Sequence, residues 1–111
     1  PLKAVFSYIE SHYGEKISLE DLAGTIHMNR NYFCRFFKEK AGKTPFSYLN
    51  EYRVNQAASQ LLSTRLPITE IALNAGFENM SYFIRQFRRF KGCTPSAYRN
   101  TEDPKSLPIP F

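Results

Sequence analysis

The sequence predicts an all-α protein made by using one helical unit twice. Three observations carry this. Tyr32-Phe33, Arg35, Phe37-Lys38, Gly42, Thr44-Pro45 and Tyr48 return fifty residues later as Tyr82-Phe83, Arg85, Phe87-Arg88, Gly92, Thr94-Pro95 and Tyr98. A fixed offset of this length marks a repeated supersecondary unit. Apolar residues recur at helical spacing through most of the chain. No segment alternates apolar and polar residues as a half-buried strand would.

The elements follow in order. Leu2, Val5, Phe6, Ile9 and Tyr13 trace a helical stripe, and Gly14 is expected to stop it. Ser18 is expected to cap a short helix, with Asp21 placed as the acid of a capping box. Leu19, Leu22, Ala23 and Ile26 form its buried stripe. A tight turn through His27-Met28 leads to Asn29, a good N-cap for a helix over about 30–40 that Gly42 ends. Thr44-Pro45 opens the longest helix, to about residue 63: a capping hydroxyl, then a proline where the missing N–H costs nothing.

The second copy begins at Pro67, with Ile68, Ile71, Ala72 and Ala75 as its stripe and Gly76 in the turn. A helix is predicted over about 79–91, and Gly92 stops it. Thr94-Pro95 opens a last helix to about residue 99. The offset is 49 before the turn and 50 after it, so the second turn is one residue longer, beside Gly76. Only that copy has glycine where a left-handed residue is expected. The predicted organisation is 1–44 as the first unit, 45–64 as a linking helix and 65–100 as the second unit. The prolines within 101–111 predict an irregular tail.

With 111 residues, 42% apolar and 15% aromatic, the chain has material for a packed domain or two small halves. Ten Phe and seven Tyr with no Trp point to several small aromatic cores. The net charge is +5 and unevenly spread. Residues 30–43 carry a balance of +4, residues 85–99 carry +5, and the remainder sits at −4. Positive charge thus collects in the second half of each copy, which favours a polyanionic partner. Cys34 and Cys93 occupy non-equivalent positions and form no CxxC pair, which fits a reduced, cytoplasmic protein. No run of about 18 apolar residues and no signal-peptide pattern is present, so no membrane partner is expected. The chain opens on Pro1 directly into helical periodicity, as expected for a piece cut from a longer protein.

At about 100° per residue, Tyr32, Phe33, Phe36, Phe37 and Lys40 share one arc and Arg30, Asn31, Cys34, Arg35 and Lys38 the other. In the second copy Tyr82, Phe83, Gln86, Phe87 and Phe90 face inward, and Met80, Ser81, Ile84, Arg85 and Arg88 face outward. The inward stripes are core. The outward chemistry suits the DNA major groove: arginine binds guanine and asparagine binds adenine through paired hydrogen bonds, serine donates or accepts, and apolar groups meet thymine methyls. On these arcs Arg30, Asn31, Arg35, Met80, Ser81, Ile84 and Arg85 carry side chains that suit base edges. Candidate phosphate contacts are Lys38 and Arg88, one turn further on, with Lys43, Thr44, Lys91 and Thr94. Such contacts add affinity and salt dependence without sequence information.

Other roles are open to some of these side chains. Met80 and Ile84 also suit packing against a neighbouring domain, and Cys34 is a small residue permitting close approach. Arg53, amid apolar positions of the long helix, suits a structural ion pair better than a base. His12 and His27 lack partners at metal-ligand spacing, so no metal is expected. With no Ser/His/Asp grouping and no phosphate-cradling glycine loop, neither catalysis nor a cofactor is expected. A linking helix of some nineteen residues would span roughly 28 Å, against about 34 Å between successive major-groove faces. Readers held closer than the groove repeat would either bend the DNA or leave one reader seated shallowly.

These residues resemble the DNA-binding domain of AraC/XylS-family bacterial transcription regulators, over about residues 2–99. The second copy carries the stronger signature: Ile71-Ala72, Gly76-Phe77, Ser81-Tyr82-Phe83, Arg85, Phe87-Arg88, Gly92, Thr94-Pro95 and Tyr98-Arg99. The first carries Leu22-Ala23, Met28-Asn29, Tyr32-Phe33, Arg35-Phe36-Phe37-Lys38, Gly42 and Thr44-Pro45-Phe46. The resemblance implies seven helices, two helix-turn-helix units joined by a linking helix, and recognition helices at about 30–40 and 79–90 in adjacent major grooves of an asymmetric site. The resemblance implies base contacts from Arg30, Asn31, Cys34 and Arg35 on the first of these helices and from Met80, Ser81, Ile84 and Arg85 on the second. Cys34 and Ile84 depart from the polar residues usual at those positions, so the second helix reads either by hydrogen bonds or by apolar contact and shape. The resemblance also implies an upstream sensor or dimerisation domain, RNA polymerase as a partner, activation as the commoner outcome, and a bacterial, nucleoid-associated setting. The competing reading is a basic helical protein-interaction module with an acidic partner.

Overall fold

A computed structural model of the protein describes residues 2–101, which hold seven α-helices and no strand. They are α1 (Lys3–His12), α2 (Leu19–Gly24), α3 (Arg30–Ala41), α4 (Pro45–Ser63), α5 (Ile68–Asn74), α6 (Met80–Lys91) and α7 (Pro95–Thr101). Of the tail expected at 101–111, Thr101 closes α7, and residues 102–111 lie outside the described residues. The chain divides into two compact units, with the division at Tyr52/Arg53 inside α4.

The caps are those the sequence encodes. The Asp21 N–H donates to Ser18 Oγ at 3.0 Å and the Ser18 N–H donates to Asp21 Oδ2 at 2.9 Å, a reciprocal capping box. Asn29 and Asn79 each accept from the N–H three residues on, at 2.9 Å. Thr44 and Thr94 do the same at 3.1 Å, each just before the proline that starts the next helix. Gly42 and Gly92 end α3 and α6 in the left-handed region, at φ 81° and 78°, each donating its N–H to the carbonyl four residues back. Gly14 behaves differently from expectation. α1 ends at His12, and Gly14 has no positive φ. A turn closed by the Glu15 N–H on the His12 carbonyl ends the helix instead.

The two turns share one geometry built from different residues. The Met28 N–H donates to the Ala23 carbonyl and the His27 N–H to that of Gly24. Phe77 and Gly76 repeat this on Ala72 and Leu73. Both are Schellman closures, which need one left-handed residue. Gly76 supplies it at φ 100°, whereas the first copy uses His27 at φ 58°. The additional residue of the second turn is Glu78, between Phe77 and the Asn79 cap, not directly beside Gly76. A side chain in the left-handed region is strained. We therefore expect His27→Gly to stabilise the first unit by about 0.5–1 kcal/mol, less than the full strain because glycine is freer when unfolded. A urea melt checks this.

Each unit has its own core. In the first, Val5, Ile9, Leu22, Phe33, Phe37 and Leu49 are fully buried. In the second, Val54, Ala57, Leu61, Ile71, Phe83 and Phe87 are. The small cores are aromatic. Phe37 meets Phe6 at 6.1 Å, Phe33 at 5.7 Å and Tyr48 at 5.8 Å; Phe87 meets Phe83 at 5.7 Å and Tyr98 at 5.3 Å. α4 serves both, with Leu49 in the first and Val54, Ala57, Ala58 and Leu61 in the second.

One tie has no trace in local sequence. Arg99 of α7 donates from Nε to the Leu61 carbonyl at 3.0 Å and from a terminal nitrogen to the Thr64 carbonyl at 3.3 Å. A helix end leaves such carbonyls without partners, and a cation there also opposes the helix dipole. Arg99 therefore belongs to the fold rather than to the free positive charge of residues 85–99. Arg99→Ala should destabilise the second unit by about 1–3 kcal/mol, measured by urea unfolding. Arg99→Lys should recover only part of it, since one ammonium lacks the planar fork that spans two carbonyls.

Candidate nucleic-acid interface

α3 and α6 are each the second helix of a helix-turn-helix, after α2 and α5. Both bury two phenylalanines, Phe33 and Phe37 or Phe83 and Phe87, at equivalent positions. That fixes which arc of each helix faces out. The inward stripe is narrower than expected. Tyr32 is 51% exposed and Tyr82 38%, Lys40 is exposed, and Phe36, Gln86 and Phe90 are half-buried. The tyrosines sit at the edge of the arc, where the ring covers apolar neighbours and the hydroxyl stays in water. Tyr32 stacks on Phe36 at 6.3 Å, and Tyr82 lies 6.2 Å from Phe77.

On α3, Arg30, Asn31, Arg35 and Lys38 are exposed and Cys34 is half-buried. Cys34 lines a shallow, mostly apolar notch of about 310 Å³ with Leu19, Arg35, Lys38, Thr44, Pro45 and Phe46. On α6, Ser81, Ile84, Arg85 and Arg88 are exposed. Met80 is half-buried and packs against the second core, so part of this thioether is structural. Ile84, 36% exposed, remains an apolar group in an exposed, polar arc. Lys43, Lys91 and Thr94 are half-buried and Thr44 is exposed, all at the ends of α3 and α6 or the starts of the helices that follow.

The electrostatics of the two faces differ. In the first unit Arg30 pairs with Glu20 of α2 at 3.4 Å, with both side chains more than half exposed, and Lys43 pairs with Glu51 of α4. An exposed pair of this kind stabilises little, yet it places an acid beside a candidate contact. Arg35, Lys38, Arg85, Arg88 and Lys91 have no acidic partner within 4.0 Å among the described residues. The Arg85 guanidinium lies 5.7 Å from the Tyr82 ring centroid, a cation–π contact that orients it. Lys38 and Lys40, and Arg88, Arg89 and Lys91, also fall in the last turns of their helices, where cations oppose the helix dipole.

Arg53 is half-buried in the second unit. Burial pushes its guanidinium below the ordinary arginine value, while Tyr82 and the additional turn residue Glu78 act in the opposite direction. Its surroundings are those of a structural charge. Glu20, Glu51 and Tyr82 shape the basic faces and were not among the expected site residues. Only Tyr82, three positions before Arg85 on one helix, carried a local signal. Among the described residues no group of three or more His, Cys, Asp or Glu side chains is arranged to hold a metal ion. No helix among them is long and apolar enough to cross a membrane.

Comparison with known proteins agrees with this architecture. A family model described as a helix-turn-helix domain matches residues 22–101. The HTH-type transcriptional regulator YdeC of Bacillus subtilis is 36% identical over 98 residues, 88% of this chain and 34% of the relative. The chain thus spans about a third of that relative's length. Among solved structures, the DNA-binding domain of the transcriptional factor AdpA, in complex with a target DNA, is 33% identical with a TM-score of 0.83, covering 89% of each chain. An AraC-type regulator from Chromobacterium violaceum is 30% identical with a TM-score of 0.83, covering 93% of each. The paired helix-turn-helix units and these likenesses together establish that the chain belongs to the helix-turn-helix family, as an AraC-type DNA-binding domain of the kind found in bacterial transcription regulators.

Proposed function

We propose that the chain binds double-stranded DNA sequence-specifically to regulate transcription, with α3 and α6 in adjacent major grooves of one asymmetric site. The observation that carries this reading is the repetition of one exposed face: Arg35 and Lys38 on α3 recur as Arg85 and Arg88 on α6, all without acidic partners among the described residues. Arg30, Asn31, Cys34 and Arg35 read bases from α3; Met80, Ser81, Ile84 and Arg85 read them from α6. The arginines take guanines, Asn31 an adenine, and Ile84 with the exposed part of Met80 a thymine methyl. Lys38, Lys43, Thr44, Arg88, Lys91 and Thr94 hold phosphates. At Arg30 and Lys43 the DNA displaces Glu20 and Glu51.

On this reading residues 1–44 and 65–100 are the two reading units and 45–64 is the helix linking them. The parent protein carries a sensor or dimerisation domain upstream, and the bound domain touches RNA polymerase to activate transcription. The family resemblance favours activation over repression.

A salt titration tests the binding mode. Four cations among the phosphate contacts predict that log K falls with log salt at a slope of about −3 to −4. A selected site should outcompete random duplex by a factor on the order of a thousand or more. Weak salt dependence with equal binding to every duplex would favour the alternative, a basic helical module for an acidic protein.

A further inference from the structure

The positions that line the notch beside α3 recur in the second unit with one change from apolar to polar, at Phe46. It is lined by Leu19 at the start of α2, Cys34 on α3, and Thr44, Pro45 and Phe46 at the start of α4, with Arg35 and Lys38 beside them. Phe46 is 40% exposed, a large ring left in water at the edge of a cationic face. Fifty residues on, its place is taken by Ser96, which is exposed and polar. The first unit thus adds an apolar wall where the second has a hydroxyl. The base-reading proposal does not use Phe46.

We propose that this notch seats one deoxyribose of the bound strand, with Phe46 against the sugar's C–H face and Lys38 on the adjoining phosphate. The inference rests on the DNA-binding reading and extends it to a residue that reading leaves idle. A nucleotide's backbone offers, within one unit, an apolar furanose edge and an anion. The notch offers apolar walls, two cations without acidic partners among the described residues, and the N-terminal end of the nineteen-residue α4, which favours an anion. Base edges present donors and acceptors that Leu19, Pro45 and Phe46 cannot answer. The contact is to the backbone, so it adds affinity and fixes register without choosing sequence. It also makes the two units unequal, with the first held by shape as well as by charge.

Hydroxyl-radical footprinting reads this directly, because the radical attacks sugar hydrogens. With the full chain bound to its selected duplex, Phe46→Ser should lose protection at one or two sugars beside the box read by α3. Its affinity should fall roughly tenfold on selected and random duplex alike, the size expected when most of an aromatic contact is removed. The salt slope should stay unchanged, since no cation is lost. Phe46→Leu should restore most of the affinity. Phe46 is partly exposed, so unchanged thermal unfolding of both variants is expected and separates binding from folding. An unaltered footprint with unaltered affinity would overturn the proposal. So would a loss seen only on duplexes with thymine at one position and reproduced by deoxyuridine there, which would make the notch a reader of a thymine methyl. Wild-type protein that still prefers its site in either case leaves the DNA-binding reading standing; wild-type protein with no preference overturns both.

Discussion

Replacing both Arg35 and Arg85 by alanine should remove about 2–6 kcal/mol of the preference for a specific site over random duplex, with each single substitution removing about 1–3 kcal/mol. The two arginines occupy equivalent exposed positions on α3 and α6, in separate compact units. Substitutions that share no partners add. A bidentate contact to guanine is lost entirely with the guanidinium, and an alanine leaves the base edge unpaired. Arg85 carries a second expectation. Its guanidinium rests over Tyr82 at 5.7 Å, so Tyr82→Ala should weaken reading by α6 without touching a base, and by less than Arg85→Ala. The measurement is competition between the selected duplex and random duplex at fixed salt. Equal losses on both would reassign the arginines to phosphates.

The largest expected effect on stability is at the aromatic centres. Phe87→Ala should destabilise the second unit by about 3–5 kcal/mol. Phe87 is fully buried between Phe83 and Tyr98. In a unit this small few other side chains can move in to refill the cavity. Because the first core is separate, hydrogen exchange should show the loss concentrated in α5, α6, α7 and the second half of α4. Phe37→Ala should do the same for the first unit. Uniform loss across both would show that the units fold as one.

Much of this molecule was legible before any coordinates. The caps at Ser18, Asn29, Thr44 and Thr94 were, because each acts within three residues of itself; Asn79, expected as the first residue of its helix, proves to be that helix's cap. So were the buried phenylalanines, because helical period fixes a face. What was not legible depended on distant neighbours or on backbone energy. Nothing local to His27 announces a left-handed residue; the demand comes from a turn geometry that Gly76 meets openly in the other copy. Arg99 counted as positive charge in sequence, and only the fold brings it to carbonyls 35 and 38 residues away. The same holds for Glu20 beside Arg30 and Glu51 beside Lys43, which temper two cations that look free along the chain. Tyr32 and Tyr82 were assigned inward by angle alone, but the stripe that a small core seals is narrower than the arc that apolar residues occupy.

If α3 and α6 read one duplex together, the bound sequence must carry a mark of each. Selection of bound sequences from a random duplex pool tests this most directly. The expected result is a single asymmetric site with two short boxes separated by about one helical turn, roughly 10 base pairs centre to centre, the boxes lost one at a time in Arg35→Ala and Arg85→Ala. Enrichment of one box only, or of none, would contradict it.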